Sequence, residues 1–303
     1  MTSTMKRLRR KKPSEHIFDA FNILFLAVFT FVCFYPFWYI IIYSFSDPVL
    51  AARGVIFLPR GFTFYNLTSI FQLQGLPRAT VNSVLRTVLG STITVFSCAL
   101  FAYVLTKDRL PARKIIYRFA IVTMYLGAGL IPWFLVMVQY GFQNNFLVYI
   151  IPSAVNVFYV ILFKTFIEQL PQSFEESARI DGAGYGTCFI EIIIPLSVPI
   201  ITTIYIFAAV DQWNAFFDNF VFISTRNRHL HTLQYILFTY LRQAEFVARE
   251  LAAVAAAMEG RQQLTPMTVR MSITMVITMP ILFVYPFAQR YFVKGIMIGA
   301  IKG

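Results

Sequence analysis

Acidic side chains are scarce in this sequence. Only 14 of its 303 residues are Asp or Glu, against 26 Lys and Arg, and charged residues of both signs make up 13% of the chain. A soluble domain carries about 25% charged residues and is about half apolar. Here 58% is hydrophobic and the mean hydropathy is +0.65, which leaves a membrane protein. Cysteine is sparse too. Cys33, Cys98 and Cys188 are far apart, which excludes a disulfide framework or metal spacing and leaves small buried hydrophobes. His229 and His231 stand at i, i+2 with no other ligand types nearby, so no metal is expected. No G-x-x-x-x-G-K-[ST] occurs, so the chain has no loop to cradle ATP phosphates. Neither a Ser-His-Asp spacing nor a carboxylate pair in an apolar setting is visible, so an enzyme is not expected.

What is present is a series of long uncharged runs. About 20 apolar residues cross a bilayer core, and six such runs occur, Ala20 to Ser46, Thr87 to Thr106, Phe119 to Val138, Phe146 to Phe163, Ile192 to Val210 and Met271 to Gln289. They place spans at about 20–46, 83–106, 117–138, 146–165, 192–214 and 271–292. The uncharged stretch 119–163 is split by "QYGFQNN" (Gln139 to Asn145), a turn signal between two spans. The first run is too long for the apolar core of a signal peptide and lacks a cleavage site. The basic run "KRLRRKK" (Lys6 to Lys12) precedes it. Residues 1–16 therefore read as a cytoplasmic tail and 17–303 as an all-α membrane domain. With the N-terminus inside, segments 1–19, 107–118, 164–191 and 290–303 hold 16 of the 26 Lys and Arg residues. That asymmetry places both termini in the cytoplasm, and no nucleic-acid face is apparent. Prolines 36, 132, 152, 199, 280 and 286 fall inside the runs, as in a bundle whose freed backbone groups meet neighbours or water.

One polar stretch interrupts this pattern: "FEESARIDGAGYGTCFIEIIIP" (Phe174 to Pro195), which makes up most of an inner loop read over 168–194. Pro171 suits a first turn, Ser173 a cap, and Glu176 lies three residues on, as in a capping box. Glu175 and Glu176 suit the positive end of a helix, and Gly182 and Gly184 allow a sharp turn. The expected product is a helix–turn–helix at the cytoplasmic face.

"ESARIDGA" followed by "IIIP" resembles the EAA loop of bacterial ABC-importer permeases: Glu176, Ser177 and Ala178 match the first triplet, Asp181, Gly182 and Ala183 the second, and Ile192 and Pro195 the end. Ser177 and Ile194 depart mildly, standing for alanine and leucine. "NSVLRTVLGS" and the C-terminal "YPFAQRYFVKGIMIGAIKG" are similar to the maltose-permease-like carbohydrate branch, nearest to permeases for complex oligosaccharides of the alginate type. The resemblance spans residues 15–303. It implies the six-span type I importer permease fold in the bacterial cytoplasmic membrane. It also implies a coupling loop, with Gly184 and Pro195 in its frame, seated on an ATPase dimer that uses ATP and Mg; the C-terminal tail would contact that dimer too. A second permease, a different chain in this branch, and a solute-binding protein on the outer loops are further implied. The chain itself would bind no cofactor.

The sugar path is less legible. Asp211, Gln212, Trp213 and Asn214 close the fifth run, joining an aromatic face to amides that suit hydroxyls; an interfacial aromatic belt is the other reading. Asn156, Tyr159 and Tyr125 are further candidates. The alanine-rich "FVARELAAVAAAMEG" in the outer segment 211–270 reads equally as a binding-protein contact or as packing on the bundle. The outer segments 47–86 and 211–270 hold ten arginines and no lysine. Arginine's planar fork suits carboxylates, so an acidic sugar is one expectation, with arginines pairing to lipid or the binding protein as the other. The competing functions are an ABC permease for another solute, an ion-driven carrier, which would need charges inside its spans, and a membrane scaffold.

Overall fold

The computed structural model describes residues 13–72, 75–243, 246 and 264–300. The basic run Lys6 to Lys12, all but Phe246 of the alanine-rich stretch, and the side chains after Pro286 lie outside the described residues. The described chain is helical: α1 Pro13–Ser44, α2 Leu76–Thr106, α3 Arg113–Tyr125, α4 Leu130–Gln139, α5 Val157–Ile167, α6 Ser173–Ile180, α7 Val198–Asn214, α8 Phe217–Phe222, α9 Leu233–Arg242 and α10 Pro266–Ala300.

Helix α2 is the axis, and α5 and α7 pack along it. Its buried face carries Gly90, Ser91, Thr94, Cys98, Ala99 and Ala102. Small side chains let helix backbones approach closely where lipid supplies no hydrophobic drive between them. Around them Val160, Phe163, Cys188, Phe189, Ile204 and Ala208 complete the main core. Helix α1 touches the bundle near its end, where Ile42 and Tyr43 are buried; Phe21, Leu24, Phe25 and Val28 are exposed. An apolar helix uncovered along most of its length suits a lipid solvent.

Among the described residues, three helical stretches are long and apolar enough to cross a membrane, residues 15–44, 76–106 and 266–283, and the count is five if each bent pair is one span. The first, second and sixth expected runs lie in continuous helices, and the third, fourth and fifth are interrupted. The third is cut between α3 and α4, which meet at 118°. Gly129 there has φ +83, and Pro132 sits in the first turn of α4, where a missing N–H costs no helical bond. The fifth, expected over 192–214, is a straight helix only from Val198; its leading part, Tyr185–Leu196, meets it at 82°. Pro195 and Pro199 remove two amides around that bend, and a proline ring clashes with the carbonyl four residues back. The fourth divides into a 3-10 turn, Phe146–Tyr149, and the 11-residue α5.

Candidate functional site

The polar loop folds as a short lever. Gln172, not Ser173, is the N-cap of α6, and no side chain caps it. The expected capping box does not form because Ser173 already lies inside the helix. Glu175 and Glu176 instead place two carboxylates in the first turn, which favours the helix dipole. The far end is a Schellman closure. Asp181 is the C-cap, Gly182 takes φ +88, the Gly182 amide bonds the Arg179 carbonyl (3.1 Å), and the Ala183 amide bonds the Ala178 carbonyl (2.9 Å). Ala178 and Ala183 pack on the main core, while Glu176, Ser177, Asp181 and Gly182 are exposed. Phe174 (50% exposed) and Ile180 (86% exposed) are apolar and uncovered.

Gly184 restarts the chain in extended geometry, followed by Tyr185–Thr187 and a π-helical turn, Cys188–Ile193, just before Pro195. Glu175 turns inward. Its carboxylate pairs with Lys107 and accepts a hydrogen bond from the Tyr103 hydroxyl at 3.2 Å. An open cavity of roughly 580 Å³ lies between the loop and the α2–α3 connection, bordered by Lys107, Arg113, Glu168, Glu175, Arg179 and Leu196. Neither Lys107 nor Tyr103 is legible as a site residue from sequence; only the basic character of the 107–118 loop is.

The opposite end of the bundle holds a buried polar network. Arg86 is 3% exposed. It donates to Gln212 Oε1 (2.9 Å) and the Ala215 carbonyl (3.0 Å), makes a two-point pair with Asp218, and lies 4.7 Å from the Tyr149 ring centre. Gln212 also donates to Ser153 Oγ (2.7 Å). Its amide, a sugar-binding candidate by sequence, is engaged at both ends within the chain. Gly90 makes this possible, because a Cβ there would stand 2.6 Å from Gln212 Nε2. Since Gln212 is pinned, Gly90→Ala is expected to destabilise the detergent-purified chain by about 1–3 kcal/mol, the usual cost of overpacking. An unchanged thermal midpoint would show that the amide can yield.

The remaining path candidates separate. Trp213 donates to the Ile277 carbonyl (3.3 Å) and packs on the cluster of Leu233, Val269 and Ile277. Tyr159 is buried and donates to Asp211 (2.5 Å), joining α5 to α7. Asn156 is the N-cap of α5 through the Phe158 amide (3.0 Å). Tyr125 and Asn214 are exposed at helix ends. Among these residues the structure joins Tyr159 to Asp211 and engages Gln212, Trp213 and Asn156 within the chain. Of the pair His229 and His231, His231 is buried against Tyr235, and burial pushes its imidazole below the ordinary value.

No family model matches the sequence. The chain is 31% identical over 290 residues to the polygalacturonan/rhamnogalacturonan transport system permease protein YtcP of Bacillus subtilis (strain 168), covering 95% of this chain and 99% of that one. It is 34% identical to protein LplC of the same organism, with 95% of each covered. A crystal structure of a bacterial ABC transporter involved in the import of the acidic polysaccharide alginate contains a chain that superposes with a TM-score of 0.84 at 27% identity, covering 94% of this chain and 99% of that one.

Proposed function

This chain belongs to the permease subunits of ABC transport systems for sugars, and on that premise we propose that it forms half of the import path for an acidic, uronate-containing oligosaccharide. The observation that carries the transport reading is the α6 loop. A short helix is held from behind by alanines and closed by a Schellman turn, and it presents Phe174, Glu176 and Ile180 outward. Exposed apolar side chains beside a carboxylate suit a protein partner that supplies a pocket and a cation. In this reading the partner is an ATPase dimer that uses ATP and Mg, seated on the loop at the cytoplasmic face. The frame of the site is Glu176, Ser177, Ala178, Asp181, Gly182, Ala183, Gly184 and Pro195. The chain spans the cytoplasmic membrane six times, with the bent pairs and α5 counted as spans and both termini inside.

A second permease is supported by the break at Leu126–Gly129. Its residues are exposed, and the amides of Gly127, Ala128 and Gly129 donate to no backbone carbonyl among the described residues. At membrane depth such backbone needs another protein or a water-filled path over it. A solute-binding protein would deliver the sugar to the outer segments.

The acidic class rests on two relatives named for uronate polymers and on the arginine-only basic content of segments 47–86 and 211–270. The test uses the assembled importer in lipid nanodiscs. Oligogalacturonates with the binding protein are expected to stimulate ATP hydrolysis, and neutral maltodextrins are not. Stimulation by maltodextrins alone would replace the acidic reading with a neutral-sugar one.

A further inference from the structure

Glu175 stands one residue before the Glu176–Ser177–Ala178 triplet and faces the other way. Glu176 is exposed, whereas the Glu175 side chain retains 18% of its exposure and Lys107 retains 17%. The Lys107 ammonium lies 3.8 Å from the ring centre of Tyr103, which is itself 2% exposed. The three groups form a closed tripod: ammonium on carboxylate, hydroxyl on carboxylate, and ammonium over the ring. Charge-assisted bonds are stronger than neutral ones, and in such a set each member orients the others. Among the described residues this is the ion pair that ties α6 to the rest of the chain.

Its other end is significant. Tyr103 lies in the last turn of α2 and Lys107 is that helix's C-cap. Helix α2 is the element on which α5 and α7 pack. On its N-terminal side α6 is joined to α5 through residues 168–172. On its C-terminal side the chain runs through Gly182, Gly184 and the π-helical turn Cys188–Ile193, and π-helical turns interrupt regular helices, often at functional sites. A displacement of α6 therefore reaches α2 directly through the tripod.

We propose that Glu175, Lys107 and Tyr103 are positioning residues that transmit movement of the loop to α2. The proposal rests on the reading of α6 as the ATPase contact, with Glu175 acting behind that contact rather than in it.

The assembled importer in proteoliposomes provides the test, read as ATPase co-purification, ATP hydrolysis, and oligogalacturonate uptake per ATP. Glu175→Gln is expected to keep the ATPase subunits bound and ATP hydrolysis running, with uptake per ATP reduced roughly fivefold or more, the lower range of coupling between linked sites. Exchanging the pair, Glu175→Lys with Lys107→Glu, is expected to recover part of that uptake, which neither change alone does. Tyr103→Phe keeps the ring under Lys107 and removes the hydroxyl, so it should give a smaller loss at normal abundance. Normal uptake per ATP in Glu175→Gln overturns the proposal, and so does loss of the ATPase subunits from that variant, since Glu175 would then be a contact residue. Glu176→Lys separates the two readings. If it leaves both association and uptake intact, the loop is not the ATPase contact and the underlying reading fails instead.

Discussion

Arg86→Leu is expected to abolish accumulation of the folded chain in the membrane. Arg86 is nearly fully buried, and its guanidinium satisfies Asp218, Gln212 and the Ala215 carbonyl together. Removing one member of a buried pair leaves an uncompensated charge and costs about 3–5 kcal/mol, against a total stability of about 5–15 kcal/mol for a typical domain. Arg86→Lys is expected to be poorly tolerated too, because a point charge cannot reproduce the two-point contact with Asp218. The double variant Arg86→Leu with Asp218→Leu leaves no orphaned charge and is expected to recover much of the abundance, since apolar replacement of a whole buried pair is often neutral. Membrane abundance and the thermal unfolding of each purified variant measure this cycle. If the double variant is as damaged as the sum of the two single ones, the residues do not act as a pair.

Gly182→Val is expected to leave the chain in the membrane at normal abundance and to disable transport. No atom lies within 4 Å of the position a Cβ would take, so crowding is not the cause. The backbone is, with φ +88. A residue bearing a Cβ pays about 1–2 kcal/mol in the left-handed region, and a β-branched one is an outlier there. The turn relaxes at the expense of the two amide bonds that close α6, and Ala178, Glu176 and Ile180 lose their fixed relation. Every 1.4 kcal/mol or so of that strain expressed at the proposed ATPase contact weakens docking about tenfold. Gly182→Asn should behave almost as wild type, because asparagine visits this conformation. Equal uptake by the valine and asparagine variants would rule out the left-handed turn as the requirement.

Much of this was legible in the residues because it is local. Hydropathy marks the helices that cross the bilayer, because 20 apolar residues in a row have few other homes. The DGAG turn could be placed at Gly182 because a φ of +88 selects glycine wherever it occurs in the fold. The Glu176–Ser177–Ala178 and Asp181–Gly182–Ala183 pattern located the loop for the same reason: its spacing is carried within a dozen residues.

Other features depended on partners far along the chain. Arg86 stands at the start of the second span in sequence, yet it is buried because Gln212 from α7 and Asp218 from α8 arrive to meet it. Gln212 and Trp213 look free to hold a sugar until Arg86, Ser153 and the Ile277 carbonyl take up their polar groups. Glu175 and Glu176 are identical neighbours on paper, and only the approach of Lys107 and Tyr103 turns one inward and leaves the other outward. The breaks at Leu126–Gly129 and Ser197 follow the same rule, since glycine and proline permit a bend without setting its angle. Periodicity and propensity act over one or two helical turns, whereas a buried charge or amide takes its role from whichever group, dozens of residues away, satisfies it.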